Sequence, residues 1–146
     1  MKKLNFFLLI LASILISSTA QSQARLNIDS ISSYKFPNGG FPNTNEVWGH
    51  VDSNGTEYAL VGRSNGFSVI SLADPANPSL VYSDTSSITL WRDIKTWAGY
   101  AYVVNEDRNG LEIFDLRGLP STVTKVGSYL GNSFPLQKAH NLFHRA

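Results

Sequence analysis

The sequence predicts an all-β fold in which one small antiparallel sheet is used repeatedly, and three observations carry that expectation. Short β-rich apolar runs are separated by Asn-Gly and Asp/Asn-Pro turn signals. Whole runs return at a nearly fixed spacing. Beyond the first two dozen residues, no useful length of amphipathic helical periodicity is visible.

The most complete copy of the unit starts at Glu46-Val47-Trp48-Gly49-His50-Val51 and extends through Pro78. Val47 to Val51, Glu57 to Gly62 and Phe67 to Leu72 are its first three strands. Asp52-Ser53-Asn54-Gly55 and Arg63-Ser64-Asn65-Gly66 lie between them. Each Asn-Gly pair is expected to form a type I′ hairpin, which needs positive φ at both central residues. Ala73-Asp74-Pro75-Ala76-Asn77-Pro78 ends the third strand, because proline cannot donate to a continuing ladder. Ser79 to Ser83 supplies a fourth strand, so the unit is a four-stranded antiparallel meander.

The unit then recurs. Trp91-Arg92-Asp93-Ile94 follows Trp48-Gly49-His50-Val51 at a spacing of 43 residues, and Tyr100-Ala101-Tyr102-Val103-Val104 follows Tyr58-Ala59-Leu60-Val61-Gly62 at 42. Asn109-Gly110-Leu111-Glu112-Ile113-Phe114 answers Asn65-Gly66-Phe67-Ser68-Val69-Ile70 at 44. The drifts fall in turns, where insertions are tolerated. A third start, Ala139-His140-Asn141-Leu142-Phe143, sets Leu142 opposite Ile94 and Val51. Four strands every 40 to 45 residues describe a propeller blade, although WD and kelch signatures are absent. The expected architecture is an incomplete, propeller-like array of about two and a half blades, with units over about 47–84 and 90–130 and a third beginning near 139. A single sheet cannot bury both faces, so neighbouring blades must supply the core.

Ahead of the repeats, Met1-Lys2-Lys3 is a basic start, Leu4 to Ile16 is largely apolar, and small residues follow up to Ala20 and Ala24. This pattern predicts a secretory signal helix over 1–24, shorter than a membrane span, and a partial propeller over 25–146. The absence of cysteine leaves neither a lipid-anchor thiol nor a disulfide. Leu26-Asn27-Ile28-Asp29-Ser30-Ile31 alternates apolar and polar, which predicts a detached fourth strand able to latch a closed ring. Phe36 to Asn43 and Gly131 to Leu136 are expected to be long loops at one rim. Only 16% of residues are charged and the formal net charge is +1, which gives no electrostatic case for nucleic acid or an anionic membrane surface.

Several constellations bear on chemistry. Gly62-Arg63-Ser64-Asn65-Gly66 spells G-x-S-x-G, with Asp93 and His140 following in hydrolase order, but a nucleophile elbow needs a helix after the serine and Phe67-Ser68-Val69-Ile70 continues as strand. Asp52 to Glu57 offers oxygen ligands, yet a plain hairpin explains it. Asn54-Gly55-Thr56 is also a glycosylation sequon, with little meaning if the exporter is bacterial. His50, Asp93 and Asn141 hold the same place in successive units, with Arg92 and His140 one position earlier. If first strands border a central channel, these five form a candidate site for an anionic ligand or a divalent metal; the alternative is hydrogen bonding between blades. No cofactor is otherwise predicted. Trp48 and Trp91 are expected to be blade-packing aromatics, with a sugar-stacking face as the alternative, and Asp74, Pro75 and Pro78 are structural turn positions. Full burial of Trp91 would make its loss cost about 3–5 kcal/mol.

The run EVWGHVDSNGTEYALVGRSNGFSVISLADPANPSLV, followed by LWRDIKTWAGYAYVVNE and AHNLF, resembles the choice-of-anchor B family. The resemblance covers about Leu26 to the C-terminus and implies LVIVD-type propeller repeats in an exported bacterial protein, secreted or at the cell surface, often with an anchoring segment. It implies no established reaction. The later blades and anchor of that family are missing here, so the chain is expected to be a truncated N-terminal portion whose remaining blades lie in a longer parent. Three function classes follow: a non-catalytic binding module for a protein or glycan, a metal-dependent propeller hydrolase or lactonase, and a nonfunctional fragment of a longer gene.

Overall fold

The apolar runs of the two repeat units become strands. The computed structural model describes residues 28–36, 44–133 and 135–143, so the expected signal helix lies outside the described residues. Eight strands occur: β1 (Thr44–Val51), β2 (Glu57–Arg63), β3 (Gly66–Ser71), β4 (Ser79–Ser83), β5 (Arg92–Trp97), β6 (Tyr100–Asn105), β7 (Leu111–Asp115) and β8 (Thr124–Tyr129). They pair in chain order as two antiparallel four-stranded sheets, β1-β2-β3-β4 and β5-β6-β7-β8. No helix is found among the described residues. The all-β expectation and the four-stranded unit are therefore both met, one sheet to each repeat.

The turns differ in detail. At Asn54-Gly55 only Gly55 has positive φ, and the Asp52 carboxylate accepts hydrogen bonds from the Asn54 and Thr56 amides, which favours a wider turn over type I′. In the second hairpin Arg63 pairs with Gly66, so Ser64 and Asn65 are the turn residues and Gly66 already belongs to β3. Its glycine serves close approach instead: a Cβ there would stand 2.0 Å from the Asp84 carbonyl oxygen. Positive φ at two successive residues appears at Ala98-Gly99, which joins β5 to β6, and at Asn109-Gly110.

The chain divides into two units, Met1–Ser30 and Ile31–Ala146, and both sheets belong to the second. In the first, only Ile28 to Ser30 are described. Residues 28 to 31 are irregular and exposed, Ile28 at 78% and Ile31 at 72%. The detached strand expected over Leu26 to Ile31 is thus absent from its described part; alternation alone does not make a strand where no ladder partner is met.

Period-two geometry settles how the sheets meet. Register places Trp48, Leu60 and Val69 side by side across β1, β2 and β3, with Tyr58 and Phe67 on the same face. Ile94 and Val103, and Ala101 and Phe114, are cross-strand partners in the second sheet. These two faces close on one core of Tyr58, Leu60, Phe67 and Val69 against Ile94, Ala101, Val103 and Phe114, continued by Leu116 and Leu119. Phe67 and Phe114 meet across the seam with ring centroids 4.7 Å apart. Gly62 permits the close approach of β5, because a Cβ there would lie 3.2 Å from Cβ of Arg92.

Candidate functional site

The candidate positions lie on β1, on β5 and on the irregular segment that follows β8. On β1, the His50 ring lies 6.3 Å from that of Tyr58, its cross-strand partner. Burial pushes the His50 imidazole below its ordinary range, and the nearby Asp52 partly opposes this. Burial alone would raise Asp52, but the Thr56 and Asn54 amides and the Tyr58 hydroxyl stabilise its charged form, with a smaller contribution from His50, and leave it low. Both Asp52 oxygens thereby serve their own hairpin.

On β5, Asp93 is buried. One oxygen accepts from the Ile94 amide (2.9 Å) and pairs with Lys95 Nζ; the other accepts from the Leu142 amide. Lys95 Nζ also sits 4.3 Å from the centroid of the Trp48 ring, and Trp48 Nε1 donates to Thr96 Oγ1 at 3.1 Å. A chain of contacts thus runs from Trp48 in the first sheet through Lys95 and Asp93 in the second to Leu142 beyond β8. His140 Nδ1 pairs with Glu106, and its ring lies 6.0 Å from that of Trp91. Asn141 is exposed. His50 stays with its own hairpin, and no group of three or more His, Asp or Glu placed to hold a metal ion occurs among the described residues.

Arg92 turns into the seam between the sheets. Its Nε donates to the Arg63 carbonyl (2.7 Å) and Nη2 to the Ser87 carbonyl (2.6 Å), and Nη1 lies 3.8 Å from Glu112. Burial pushes the guanidinium down, Glu112 opposes that, and Arg63 adds to it. Glu112, almost wholly buried, also pairs with Lys125, which reaches Asp84 of the first unit at 3.6 Å. This cross-unit network, buried at Arg92 and Glu112 and partly exposed at Lys125 and Asp84, makes Arg92 a seam residue. Ser64 occupies a hairpin turn followed by strand β3, so the G-x-S-x-G match has no elbow beneath it.

The tryptophans are partly exposed: Trp48 39%, Trp91 51% and Trp97 57%. Trp48 touches Thr96 and Lys95 of β5, and Trp91 touches His140, which leaves part of each indole open. Trp97, Lys95 and Glu106 were not singled out from the sequence. Alternation from Asp93 along β5 does set Lys95 and Trp97 on one face, a signal that was available. Asp74 and Pro75 occupy the expected turn, where the Asp74 carboxylate accepts from the Ala76 amide and the Asn77 side chain.

Two stacked four-stranded meanders, one per repeat and joined through a shared apolar seam, define a repeat protein of the β-propeller type. The LVIVD repeat model matches residues 55–87 and 91–131, just over half of the sequence. The chain belongs to the LVIVD repeat family. No curated protein and no solved structure matches it.

Proposed function

We propose that the chain is an exported module of the choice-of-anchor B type that binds a protein or glycan through open aromatic faces and performs no catalysis. The observation that carries this reading is the exposure of Trp48 within β1, Trp91 just before β5 and Trp97 at the end of β5. A half-open indole offers a large apolar face with a polar N–H, the combination that carries recognition at protein and sugar interfaces. The chemistry-bearing groups nearby are already engaged, Asp93 by two backbone amides and Lys95, and His140 by Glu106, which favours binding over bond-breaking. Export rests on the basic and apolar pattern of Met1 to Ala24 and is tested by cell fractionation with the N-terminal mass of the recovered protein.

The binding reading is tested by titrating the protein, freed of residues 1–24, against soluble oligosaccharides and isolated surface proteins while following tryptophan fluorescence. A saturable change that weakens at least tenfold in Trp97→Ala or Trp91→Ala, with strand content intact, is the expected outcome. Binding indifferent to Trp48, Trp91 and Trp97 would refute the assignment of the surface.

A further inference from the structure

Residues Gln137 to Phe143 lie over the second sheet without joining it as a strand, and polar contacts hold them there. Gly110 N donates to the Gln137 carbonyl at 3.3 Å and Ala139 N to the Asn105 carbonyl at 2.9 Å. His140 pairs with Glu106, and the Leu142 amide donates to Asp93. Most of the segment is exposed, with only Ala139 and Leu142 half-buried. Its inner side nevertheless walls a cleft of about 310 Å³ in which Leu142 and Phe143 face Trp97, Tyr102 and Leu111. Few buried apolar contacts and a handful of polar anchors are the marks of an element that opens locally, well below the global unfolding free energy.

We infer that Gln137–Phe143 is a strap whose closed position is set by the Asp93 carboxylate, and that its release opens the apolar cleft beside Trp97. Asp93 suits this role because it is itself fixed. The Ile94 amide and Lys95 hold one oxygen, Lys95 is in turn held against the Trp48 ring, and the second oxygen is thereby aimed at the strap. An amide bonded to a carboxylate is among the stronger single hydrogen bonds available, so its loss shifts the opening equilibrium by roughly tenfold or more. Asp93 is a positioning residue here. The inference rests on the binding reading only in giving the uncovered Trp97 a use; the strap's motion is measured without any ligand.

Limited trypsinolysis of the full chain reads the strap directly, because Lys138 lies inside it, and cleavage under these conditions follows the population of the open form. Cleavage after Lys125, in β8, serves as the reference for loss of the sheet. Asp93→Ala is expected to speed cleavage after Lys138 at least tenfold with cleavage after Lys125 unchanged. Leu142→Pro removes the amide donor without touching β5, is expected to do the same, and decides the matter should Asp93→Ala disturb the sheet. Rates after Lys138 within twofold of the parent in Leu142→Pro, or a rise matched after Lys125 in that variant, would overturn the inference.

Discussion

Replacing Phe114 by alanine tests whether the two sheets stand or fall together. Phe114 is on β7 of the second sheet and only 1% exposed, yet its ring contacts are largely with the first: Phe67 at 4.7 Å and Tyr82 at 6.1 Å between centroids. Truncating a fully buried phenylalanine costs about 3–5 kcal/mol through lost transfer energy and the cavity left behind. Each well-placed aromatic pair adds about 0.5–1.5 kcal/mol beyond area, part of which is already contained in that range. Lys125 Nζ, 5.7 Å from the ring centroid and partly exposed, adds little more. A loss of about 4 kcal/mol is therefore expected, a large share of the roughly 5–15 kcal/mol that holds an ordinary domain. Urea unfolding by circular dichroism measures the loss, and amide exchange in β2 and β3 reports whether the unmutated sheet shares it. The expected result is one transition, displaced to lower urea, with protection at Leu60 and Val69 lowered by the same free energy. A loss under about 1.5 kcal/mol, or unchanged protection in β2 and β3, would refute the idea that the seam stabilises both sheets.

Trp91→Ala is expected to cost about 2 kcal/mol or less in the same urea assay, because about half of the indole stays in water and the area withdrawn is correspondingly smaller. Gly66→Ala is expected to lose about 1–3 kcal/mol, since its Cβ would drive into the Asp84 backbone. Gly49→Ala, which meets nothing within 4 Å, should be neutral or slightly stabilising, and the pair is compared by melting temperature. Hydrogen bonds from the Arg117 side chain and amide hold Asp115 down at about 2, so nuclear magnetic resonance titration should place its midpoint there, and Arg117→Ala should return it towards the ordinary carboxylate range. Because the folded value lies below the unfolded one, the stability this pair contributes is present above the ordinary value of 3.8 and disappears as pH falls towards about 2.

The fold was legible because its signals are local. Apolar runs bounded by Gly, Asn, Asp and Pro mark the strands of the first sheet directly, and the returning Tyr-Ala and Asn-Gly runs locate the second. What escaped depends on partners far along the chain. Asn65-Gly66 has the letters of a type I′ turn, but the glycine there is set by the Asp84 carbonyl 18 residues on. Ala98-Gly99 adopts the paired positive φ instead, with an alanine that no turn preference would have chosen. The site was less legible still. His50, Asp93 and Asn141 are equivalent by repeat, yet repeat equivalence says nothing of which backbone amide lies opposite. Asp93 meets Leu142, His50 stays with Tyr58, and Asn141 faces out.

The seam shows why the repeats match as runs and diverge as single residues. Where β5 carries Arg92, the first unit has Gly49; where β6 carries Val104, the first unit has Gly62. Within the seam, Arg92 and Gly62 are the facing pair, the long side chain of one sheet lying over the missing side chain of the other. What must persist from blade to blade is the summed volume between two faces, because a packed interior penalises both voids and overlap. Charge is balanced across the seam as well: two carbonyls accept from Nε and Nη2 of Arg92, Glu112 offsets its charge from 3.8 Å, and Lys125 of β8 pairs with Glu112 in turn.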